Sequence, residues 1–346
     1  MMEERAPPFG PGDRLGEEDN YTIVRMLGSG GHGFVFEAHD ELLQREVAIK
    51  VIHQSSRSGR DLTGRALTEA RVLVRIRHPN VVAAHYVGTT RGGQVYMVME
   101  LLAGRSLREV LRELGRLTIP EVLELAIQAT SGFHAVHENR VIHRDVKPEN
   151  LVVVAENQVK VLDFGVAKVT GYAAHKTTDK HVVHGTALYM SPEQLQGHAV
   201  TPQSDIFSLG VVLYEALHRH PTLVGREIYN MQQLAWLQIT RMPPRLHELD
   251  ASIPNYVSRF VQRALLKRPQ ERYPSMADMG NAAREARQRL IAEIGDQRYR
   301  QNIRDLSAAS PHPSDKQRPR PSTRDLSAPS PDPSDAHLRL IPVDPR

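Results

Sequence analysis

The spacing of apolar residues divides the chain into two parts. Residues 21–99 contain short runs in which apolar positions alternate or cluster, separated by turns with glycine, which is typical of strands. Residues 62–77 instead show apolar positions at helical spacing. This part of the chain predicts a small antiparallel sheet with one helix. The predicted strands are YTIVRML, GFVFEAHD, REVAIKVI, VVAAHYVGTT and QVYMVME.

From about residue 105 the pattern changes to long helical segments around one short β patch, LVVVAENQVKVLDFG. The predicted helices are SLREVLREL, IPEVLELAIQATSGFHAVHEN, SDIFSLGVVLYEAL, NYVSRFVQRALL and SMADMGNAAREARQRLIAEI. The expected fold is therefore α+β with two lobes, a small antiparallel β-sheet lobe and a larger, mostly helical lobe. The cleft between two such lobes is a common place for a ligand.

The two ends of the chain have a different composition. Residues 1–20 are rich in proline and glycine and predict a flexible lead-in. Residues 293–346 are predicted to be a disordered tail, because the last 40 residues hold nine prolines, seven serines and no aromatic residue. A duplication occurs there: RDLSAASPHPSD at 304–315 recurs as RDLSAPSPDPSD at 324–335, identical at ten of twelve positions (RDLSAxSPxPSD). Neither copy has an apolar face that could stack into a solenoid.

Composition excludes several classes of function. The 346 residues include 44 Lys and Arg against 40 Asp and Glu, and residues 297–346 carry nine basic against six acidic side chains, so the excess of positive charge lies mainly in the tail. With 5% aromatic residues and no basic aromatic stripe, no nucleic-acid partner is expected. The absence of cysteine excludes disulfides and cysteine nucleophiles. No apolar run reaches the length of a membrane span and the start lacks a signal-peptide pattern, so a cytoplasmic protein is predicted.

The first chemical motif is glycine-rich and lies between two predicted strands. It consists of Gly28, Ser29, Gly30, Gly31, His32, Gly33, Phe34 and Val35. Glycines allow the backbone to approach phosphate oxygens closely and to direct amide N–H groups at them. A dinucleotide-binding fingerprint would require a helix after the third glycine, whereas this sequence continues as a strand, so that fold is excluded.

A lysine in the strand VAIKVI is the second candidate. Lys50 alone would be an ordinary exposed strand residue, but residues 51–99 contain only two acids, Asp61 and Glu69, and Glu69 lies on the predicted helix. A Lys50–Glu69 pair between strand and helix would hold the ammonium group within reach of nucleotide phosphates.

The third motif is dense in charge and precedes the apolar run LVVV. It reads HRDVKPEN over residues 143–150 and is followed, after the β patch, by Asp163-Phe164-Gly165. This order suits phosphoryl transfer. Asp145 can accept a hydroxyl proton, Lys147 can neutralise the moving phosphoryl group, and Asn150 with Asp163 offers hard oxygen ligands for Mg²⁺.

Together with the later Ser191-Pro192-Glu193, these motifs resemble those of the eukaryotic-type protein kinase family in order and spacing. The similarity covers residues 21–292, with a small lobe over 21–99 and a large lobe over 100–292. The sequences of the motifs are most similar to those of the bacterial serine/threonine branch. The resemblance implies ATP and Mg²⁺ as cofactors, with Mn²⁺ as an alternative ion.

The resemblance also implies roles for individual residues. Leu27 to Val35 would cover the phosphates, and Met99 would gate the back of the pocket. Val35, Ala48 and Val152 would enclose the adenine, and the hinge from Glu100 to Leu102 would bind its edge. Asp145, Lys147, Lys50 and Glu69 would be catalytic, and Asn150 and Asp163 would bind the metal. Asp205 would anchor the catalytic loop, and Glu193 with Arg272 would form a buried ion pair.

The implied substrates are serine and threonine hydroxyls of proteins, because Lys147 and the Gly185-Thr186 segment resemble the serine/threonine pattern. The resemblance further implies regulation through Arg144, Thr177, Thr178 and Thr186, with autophosphorylation of Thr177 and Thr178 in a bacterial signalling pathway. The proline-rich tail is a candidate docking segment for partners. His32, where the family usually has an aromatic residue, departs from the pattern.

Two other classes of function fit these residues less well. A pseudokinase scaffold would lack Lys50, Asp145 or Asp163, and all three are present. Kinases of small molecules usually lack the SPE segment and the lysine two residues after the base, so protein acceptors are favoured.

Overall fold

The computed structural model describes residues 7–16, 20–30, 33–52, 67, 70–163, 185–220 and 231–307, with the backbone alone for residues 185, 186 and 231. The small lobe is built on a six-stranded sheet in the order β1-β2-β3-β4-β6-β5, in which all neighbouring strands are antiparallel. Its strands are β1 (Arg14–Leu15), β2 (Tyr21–Gly30), β3 (Gly33–Asp40), β4 (Arg45–Ile52), β5 (Ala84–Thr89) and β6 (Val95–Glu100). Residues 70–75 are helical, within the predicted helix.

The sheet separates two apolar clusters because side chains alternate between its faces. On one face Phe36, Val47 and Ile49 form an outer core that is confined to the small lobe. On the other face Ala48 and Met99 join the main core, which continues into the large lobe. The face that carries Ala48 is therefore the one directed at the second lobe.

The large lobe contains a three-stranded antiparallel sheet, β7-β8-β9, and most of the helices. The strands are β7 (Gly104–Ser106), β8 (Leu151–Val154) and β9 (Gln158–Val161). The α-helices are α1 (Leu107–Leu114), α2 (Ile119–Glu138), α3 (Pro192–Leu195), α4 (Pro202–His218), α5 (Met231–Thr240), α6 (Leu246–Leu249), α7 (Asn255–Ala264), α8 (Met276–Ile294) and α9 (Asp296–Gln301). The predicted α+β fold with two lobes is confirmed. No helix in the described ranges is long and apolar enough to cross a membrane.

Local sequence explains where the main helices begin. Ser106 and Thr118 each form a capping box, with Glu109 and Glu121 respectively, which satisfies otherwise unpaired amides at the starts of α1 and α2. Helix α4 is buried along nearly its whole length, from Ser204 to Leu217, and so forms the centre of the large lobe. Side chains on α4 are thus fixed points for the loops around it.

The two lobes are joined by backbone hydrogen bonds behind the cleft. The Val82 amide donates to the Val161 carbonyl at 3.0 Å, and the Val161 amide donates to the Asn80 carbonyl at 2.9 Å. The Asn80 side chain also donates to the Val159 carbonyl at 2.9 Å. The segment 80–82 is therefore attached to the edge of strand β9.

The predicted flexible lead-in over residues 1–20 is wrong for residues 7–16. Leu15 is buried in the outer core, and the ring of Phe9 packs edge-on against Phe36 with 6.2 Å between centroids. The backbone of this segment also pairs with Ile23. The segment is rich in proline and glycine, so its composition did not indicate that Phe9 and Leu15 pack in the outer core of the small lobe.

The predicted start of the disordered tail at residue 293 is also wrong. Helix α8 continues to Ile294, α9 follows, and Tyr299 and Leu306 are buried in the main core. The Tyr299 hydroxyl donates to Glu124 on α2 at 3.1 Å. The folded part therefore extends to residue 307, because sparse apolar residues beyond the long helix return to pack on α2.

Candidate active site

The loop over residues 143–150 connects the α2 side of the large lobe to strand β8, and Asp205 on α4 fixes its backbone. One Asp205 oxygen accepts from the His143 amide at 2.8 Å and from His137 Nε2 at 2.8 Å, and the other accepts from the Arg144 amide at 2.8 Å. Arg144 has a positive φ of 64°, an unfavourable backbone conformation that these bonds stabilise. The anchoring role predicted for Asp205 is confirmed.

The Asp205 carboxylate is fully buried, and burial alone would raise its pKa. Hydrogen bonds from His137 and the backbone, with the neighbouring histidines, instead hold the pKa of Asp205 below its usual range. It therefore stays ionised while it holds the loop. His137 was missed by sequence reasoning, since it lies on α2 with no motif around it.

His143 connects this loop to the segment that carries Asp163. Its side chain is completely buried; Nε2 donates to the Leu162 carbonyl at 2.6 Å, and Nδ1 accepts from the Asp145 amide at 3.2 Å. Burial lowers the pKa of His143, so the ring is neutral with its proton on Nε2. This neutral ring sets the distance between the two acidic segments of the site.

Asp145, Lys147 and Asn150 converge within this loop. Lys147 Nζ lies 2.8 Å from Asp145 Oδ2, and Asn150 Nδ2 donates to the Asp145 carbonyl at 2.8 Å and to its carboxylate at 3.2 Å. The Asp145 side chain is only 1% exposed. The structure thus brings together a buried carboxylate, an ammonium group and an amide, as the motif predicts.

Lys50 reaches the same place from the small lobe. Its Nζ lies 2.7 Å from Asp163 Oδ1, and its side chain is 11% exposed. The partner predicted for it, Glu69, lies outside the described residues, as do Phe164 and Gly165. This contact joins Lys50, on strand β4 of the small lobe, to Asp163, the predicted metal ligand in the large lobe.

Strand register places several predicted nucleotide residues on the cleft face. Val35 is the cross-strand partner of Lys50, and Ala48 is the partner of Met99, so these four side chains share one face. Phe34 points the other way: it is 7% exposed and lies in the outer core. The Phe34 side chain therefore lies on the face opposite Val35, Ala48, Lys50 and Met99.

Val152 lies on the large-lobe side of the cleft. Its neighbours Leu151 and Val153 are in the main core, and alternation along β8 turns Val152 to the opposite face. Leu102 packs at the edge of the main core. The roles of Val152 in the pocket wall and of Leu102 in the hinge stay predictions.

The glycine-rich hairpin is described on both sides of its tip. Gly28 pairs with Val35, Ser29 with Phe34 and Gly30 with Gly33, while Gly31 and His32 lie outside the described residues. At Gly33, φ is 148° and a Cβ would lie 2.1 Å from the Val51 carbonyl oxygen. Glycine is therefore required there by close approach of the neighbouring strand. Leu27, 40% exposed, lies on β2 beside this hairpin.

The side chain of Glu100, at the end of β6, is held on two sides. Its Oε1 accepts from Lys160 Nζ at 2.6 Å and from the Ala83 amide at 2.8 Å. Its own amide donates to the Ala83 carbonyl at 2.9 Å. The start of the predicted hinge is thus rigidly attached to β9, a contact that the sequence did not indicate.

A charged cluster beside the catalytic loop was also missed. Arg108 on α1 donates to Glu149 at 2.9 Å, to Glu215 at 2.7 Å and to the Tyr189 hydroxyl. Tyr189 in turn donates to Glu215 at 2.5 Å. Burial, followed by the charge of Glu215, raises the pKa of Tyr189 above its usual range, so the hydroxyl remains a donor. Only the three-dimensional fold brings these four residues together.

The predicted buried ion pair is confirmed. The Arg272 guanidinium binds both carboxylate oxygens of Glu193, at 2.8 and 2.9 Å, and its side chain is fully buried. The pair connects α3 to the loop before α8. Of the regulatory candidates, Thr177 and Thr178 lie outside the described residues, and Thr186 is described by its backbone alone, in a 3₁₀ turn over Gly185–Tyr189.

Residues 21–283 match the sequence model of the protein kinase domain. The chain belongs to the protein kinase family. Relatives are identical to this kinase chain at about a third of the aligned positions. Serine/threonine-protein kinase PknA of Mycobacterium tuberculosis is 35% identical over 266 residues, which is 76% of this chain and 60% of PknA. PknB of the same organism is 35% identical over 265 residues, or 75% of this chain and 42% of PknB. A probable serine/threonine-protein kinase of Clostridium acetobutylicum is 34% identical over 260 residues, or 74% of this chain and 38% of that protein.

Solved kinase structures confirm the fold. The crystal structure of the Mycobacterium tuberculosis PknI kinase domain matches with a TM-score of 0.63 and 22% identity, covering 81% of this chain and 99% of that domain. This kinase chain spans 60% or less of the length of the curated relatives described above. The match therefore concerns the kinase domain they share.

Proposed function

We propose that this chain is a serine/threonine protein kinase that transfers the γ-phosphoryl group of ATP to serine and threonine hydroxyls of proteins. The observation that carries the proposal is the convergence of Asp145, Lys147 and Asn150 in one loop, opposite the Lys50–Asp163 contact of 2.7 Å. PknA and PknB, both named as serine/threonine-protein kinases, support the choice of acceptor. We place the reaction in the cytoplasm, where ATP is available.

The proposed division of labour follows from charge and position. Asp145 orients the acceptor hydroxyl and takes its proton, and Lys147, 2.8 Å away, neutralises charge on the transferring group. Lys50 holds the α- and β-phosphates. Because Lys50 and Asp163 meet at one point of the cleft, the phosphates bind where the ammonium and carboxylate now touch.

The residues fit a divalent metal that arrives with the nucleotide. The side-chain nitrogen of Asn150, Nδ2, donates to Asp145, so the side-chain oxygen of Asn150 is left to bind the metal. Asp163 would supply a carboxylate. Magnesium is usually held by one or two carboxylates together with substrate phosphates, so this donor set suffices. When bound, the ion would supply positive charge that offsets the negative charge of the phosphate groups. We propose Mg²⁺, and Mn²⁺ suits the same oxygen donors.

An assay with γ-labelled ATP and a generic acceptor protein tests the proposal. Wild type is expected to label serine and threonine but not tyrosine, and Lys50→Met to lower the rate about 10²-fold through loss of a preorganised phosphate contact. Phosphoamino-acid analysis identifies the acceptor. Equal labelling by wild type and Lys50→Met would remove the kinase assignment, and the melting temperature of each protein shows whether the variant is folded.

The attachment of the hinge to β9 gives a second prediction. If the hinge from Glu100 to Leu102 binds the adenine, Lys160→Met should raise KM for ATP about fivefold, since one hydrogen-bonded ion pair contributes about 1 kcal/mol, with little change in kcat. Glu100→Gln should have a smaller effect, because its amide oxygen still accepts from the Ala83 amide. Unchanged KM in both variants would contradict a positioning role of this contact.

We further propose autophosphorylation of Thr177 and Thr178. Its support is Arg144, whose backbone is fixed beside Asp145 by Asp205 and by Gln194, which donates to the Arg144 carbonyl at 3.0 Å. A phosphorylated loop would be attracted to this guanidinium. Peptide mapping after incubation with Mg-ATP should find both phosphothreonines in wild type and neither in Asp145→Asn. Full activity of Thr177→Ala/Thr178→Ala would contradict a regulatory role.

A further inference from the structure

The first repeat begins inside the folded part, where Arg304 binds a buried carboxylate. The Glu121 side chain is 0% exposed and accepts from the Arg304 amide at 2.9 Å, from Nε at 2.7 Å and from Nη2 at 2.6 Å. Arg304 Nη2 also approaches the Arg116 carbonyl at 3.3 Å. Glu121 belongs to the capping box of α2, so Arg304 closes a site that the start of this helix creates.

The next residues of the repeat bind a single asparagine. Asn157, in the turn between β8 and β9, donates to the Arg304 carbonyl at 2.8 Å and accepts from the Leu306 amide at 2.7 Å. The Leu306 side chain is buried in the main core. Gln128 donates to the Asn157 carbonyl at 3.0 Å and so fixes the position of this asparagine. Asn157 thus binds the backbone of Arg304 and Leu306, while the main core accommodates the Leu306 side chain.

The remaining two residues set the local shape of the segment. Ser307 donates to Asp305 Oδ1 through its amide at 2.9 Å and its hydroxyl at 2.6 Å. All four residues of the sequence Arg-Asp-Leu-Ser therefore have a defined role in docking. The same four residues recur at 324–327, outside the described part of the chain. We call the surface formed by Glu121, Asn157 and the Arg116 carbonyl the RDLS site.

We propose that either copy of the repeat can bind the RDLS site. Residues 304–307 occupy it in the structure, and residues 324–327 occupy it when residues 304–307 are displaced. The second copy carries each group that the first copy uses: the guanidinium, the leucine side chain, and the aspartate and serine that make the turn. An empty RDLS site would leave the Glu121 carboxylate without its cation, which strongly favours any arginine that can enter.

Differences outside the repeat explain why the first copy, rather than the second, occupies the RDLS site in the structure. It follows α9 directly, and Ile303 packs on the main core, whereas the second copy is preceded by Thr323. Docking of the second copy would also close a loop of about 20 residues, whose entropy opposes the exchange. A linker of about 20 residues is nevertheless long enough to span about 25 Å, so the second copy can reach a site beside residue 303, which precedes the first copy.

Thermal unfolding of the full chain tests the exchange. Arg324→Ala alone should leave the melting temperature unchanged, because the first copy is docked. In an Arg304→Ala background the same Arg324→Ala substitution should lower the melting temperature further, by about 3 °C or more. Arg320→Ala, which removes the same charge outside the repeat, is the matched control and should have no effect in either background. Equal melting temperatures of Arg304→Ala and Arg304→Ala/Arg324→Ala would overturn the proposal.

Distance measurement provides a readout of docking itself, and the absence of native cysteine allows labelling at chosen positions. Spin labels at Glu156→Cys and Ala308→Cys in the otherwise native chain give the reference distance for the docked first copy. In the Arg304→Ala background, labels at Glu156→Cys and Ala328→Cys should give the same narrow distribution. A broad distribution would overturn the proposal. A narrow distribution that vanishes on dilution with unlabelled chain would show that a second molecule is the occupant, and would also overturn exchange within one chain.

Discussion

Replacing Asp145 with asparagine is expected to lower kcat for protein phosphorylation about 10³-fold while leaving the fold intact. Asparagine has the same shape, so its carbonyl oxygen can still accept from Lys147, which now lies 2.8 Å from the carboxylate. It cannot accept the hydroxyl proton of the substrate, and it no longer carries the charge that balances Lys147. Initial rates at saturating ATP and acceptor protein measure the effect.

A matched substitution separates chemistry from general damage. Glu285→Gln makes the same change from carboxylate to amide on the exposed surface of α8. It should leave kcat unchanged and should alter the free energy of unfolding by no more than about 0.5 kcal/mol. Affinity for ATP should be similar in all three proteins, since Asp145 is assigned to the acceptor. A loss of less than tenfold in Asp145→Asn would show that this carboxylate is not the general base.

The largest loss of stability is expected from Arg272→Met. Arg272 donates to Glu193 twice and to the carbonyls of Leu266, Gln203 and Lys267, and its guanidinium stacks over Phe207 at 4.8 Å. Methionine fills part of the volume but leaves the Glu193 carboxylate buried without a counter-charge. Removing one partner of a buried pair costs about 3–5 kcal/mol of unfolding free energy. Denaturant unfolding monitored by circular dichroism measures it.

The neighbouring pair offers a control for this substitution. Arg268 pairs with Glu271 at 3.6 Å, but both side chains are largely exposed, so Arg268→Met should cost less than about 1 kcal/mol. Comparable losses in the two variants would contradict the assignment of the stabilising effect to the buried pair.

The pair also predicts how stability depends on pH. Burial alone would raise the pKa of Glu193, but hydrogen bonds from Arg272 and Ser204 lower it below its ordinary value of 4.5. The unfolded chain therefore takes up a proton at higher pH than the folded chain does. The contribution of the pair should be complete above pH 4.5 and be lost as the pH falls below it, and this loss should be absent in Arg272→Met.

Much of the fold could be predicted because periodicity records which face of an element is buried. Strand β3 alternates between Phe36 in the outer core and Val35 on the cleft side, and the sequence shows this alternation directly. The catalytic loop was equally visible, since its residues are adjacent in the chain. Asp145, Lys147 and Asn150 needed no long-range contact to be recognised.

Contacts between distant elements could not be predicted where neither residue belongs to a motif. The attachment of Arg108 to Glu215 joins residues 107 positions apart, and no spacing rule connects an arginine on one helix with a glutamate on another. The ends of the folded part were misjudged for a related reason. Single apolar residues such as Phe9 and Tyr299 are too sparse to form a periodic pattern, and only the surfaces they cover explain why they are ordered.

The hydrogen bonds between residues 80–82 and strand β9 have a consequence for movement of the lobes. These bonds join the two lobes at the side of the cleft formed by residues 80–82 and β9, which we call its rear. The main core also continues from Ala84 and Met99 in the small lobe to Leu151 and Val161 in the large lobe. A rotation that kept these bonds would pivot at the rear, so the largest displacement would occur at the front, where the glycine-rich hairpin lies. In such a rotation the pivot would lie beside Asn80, and the packing of the main core between the lobes would be kept.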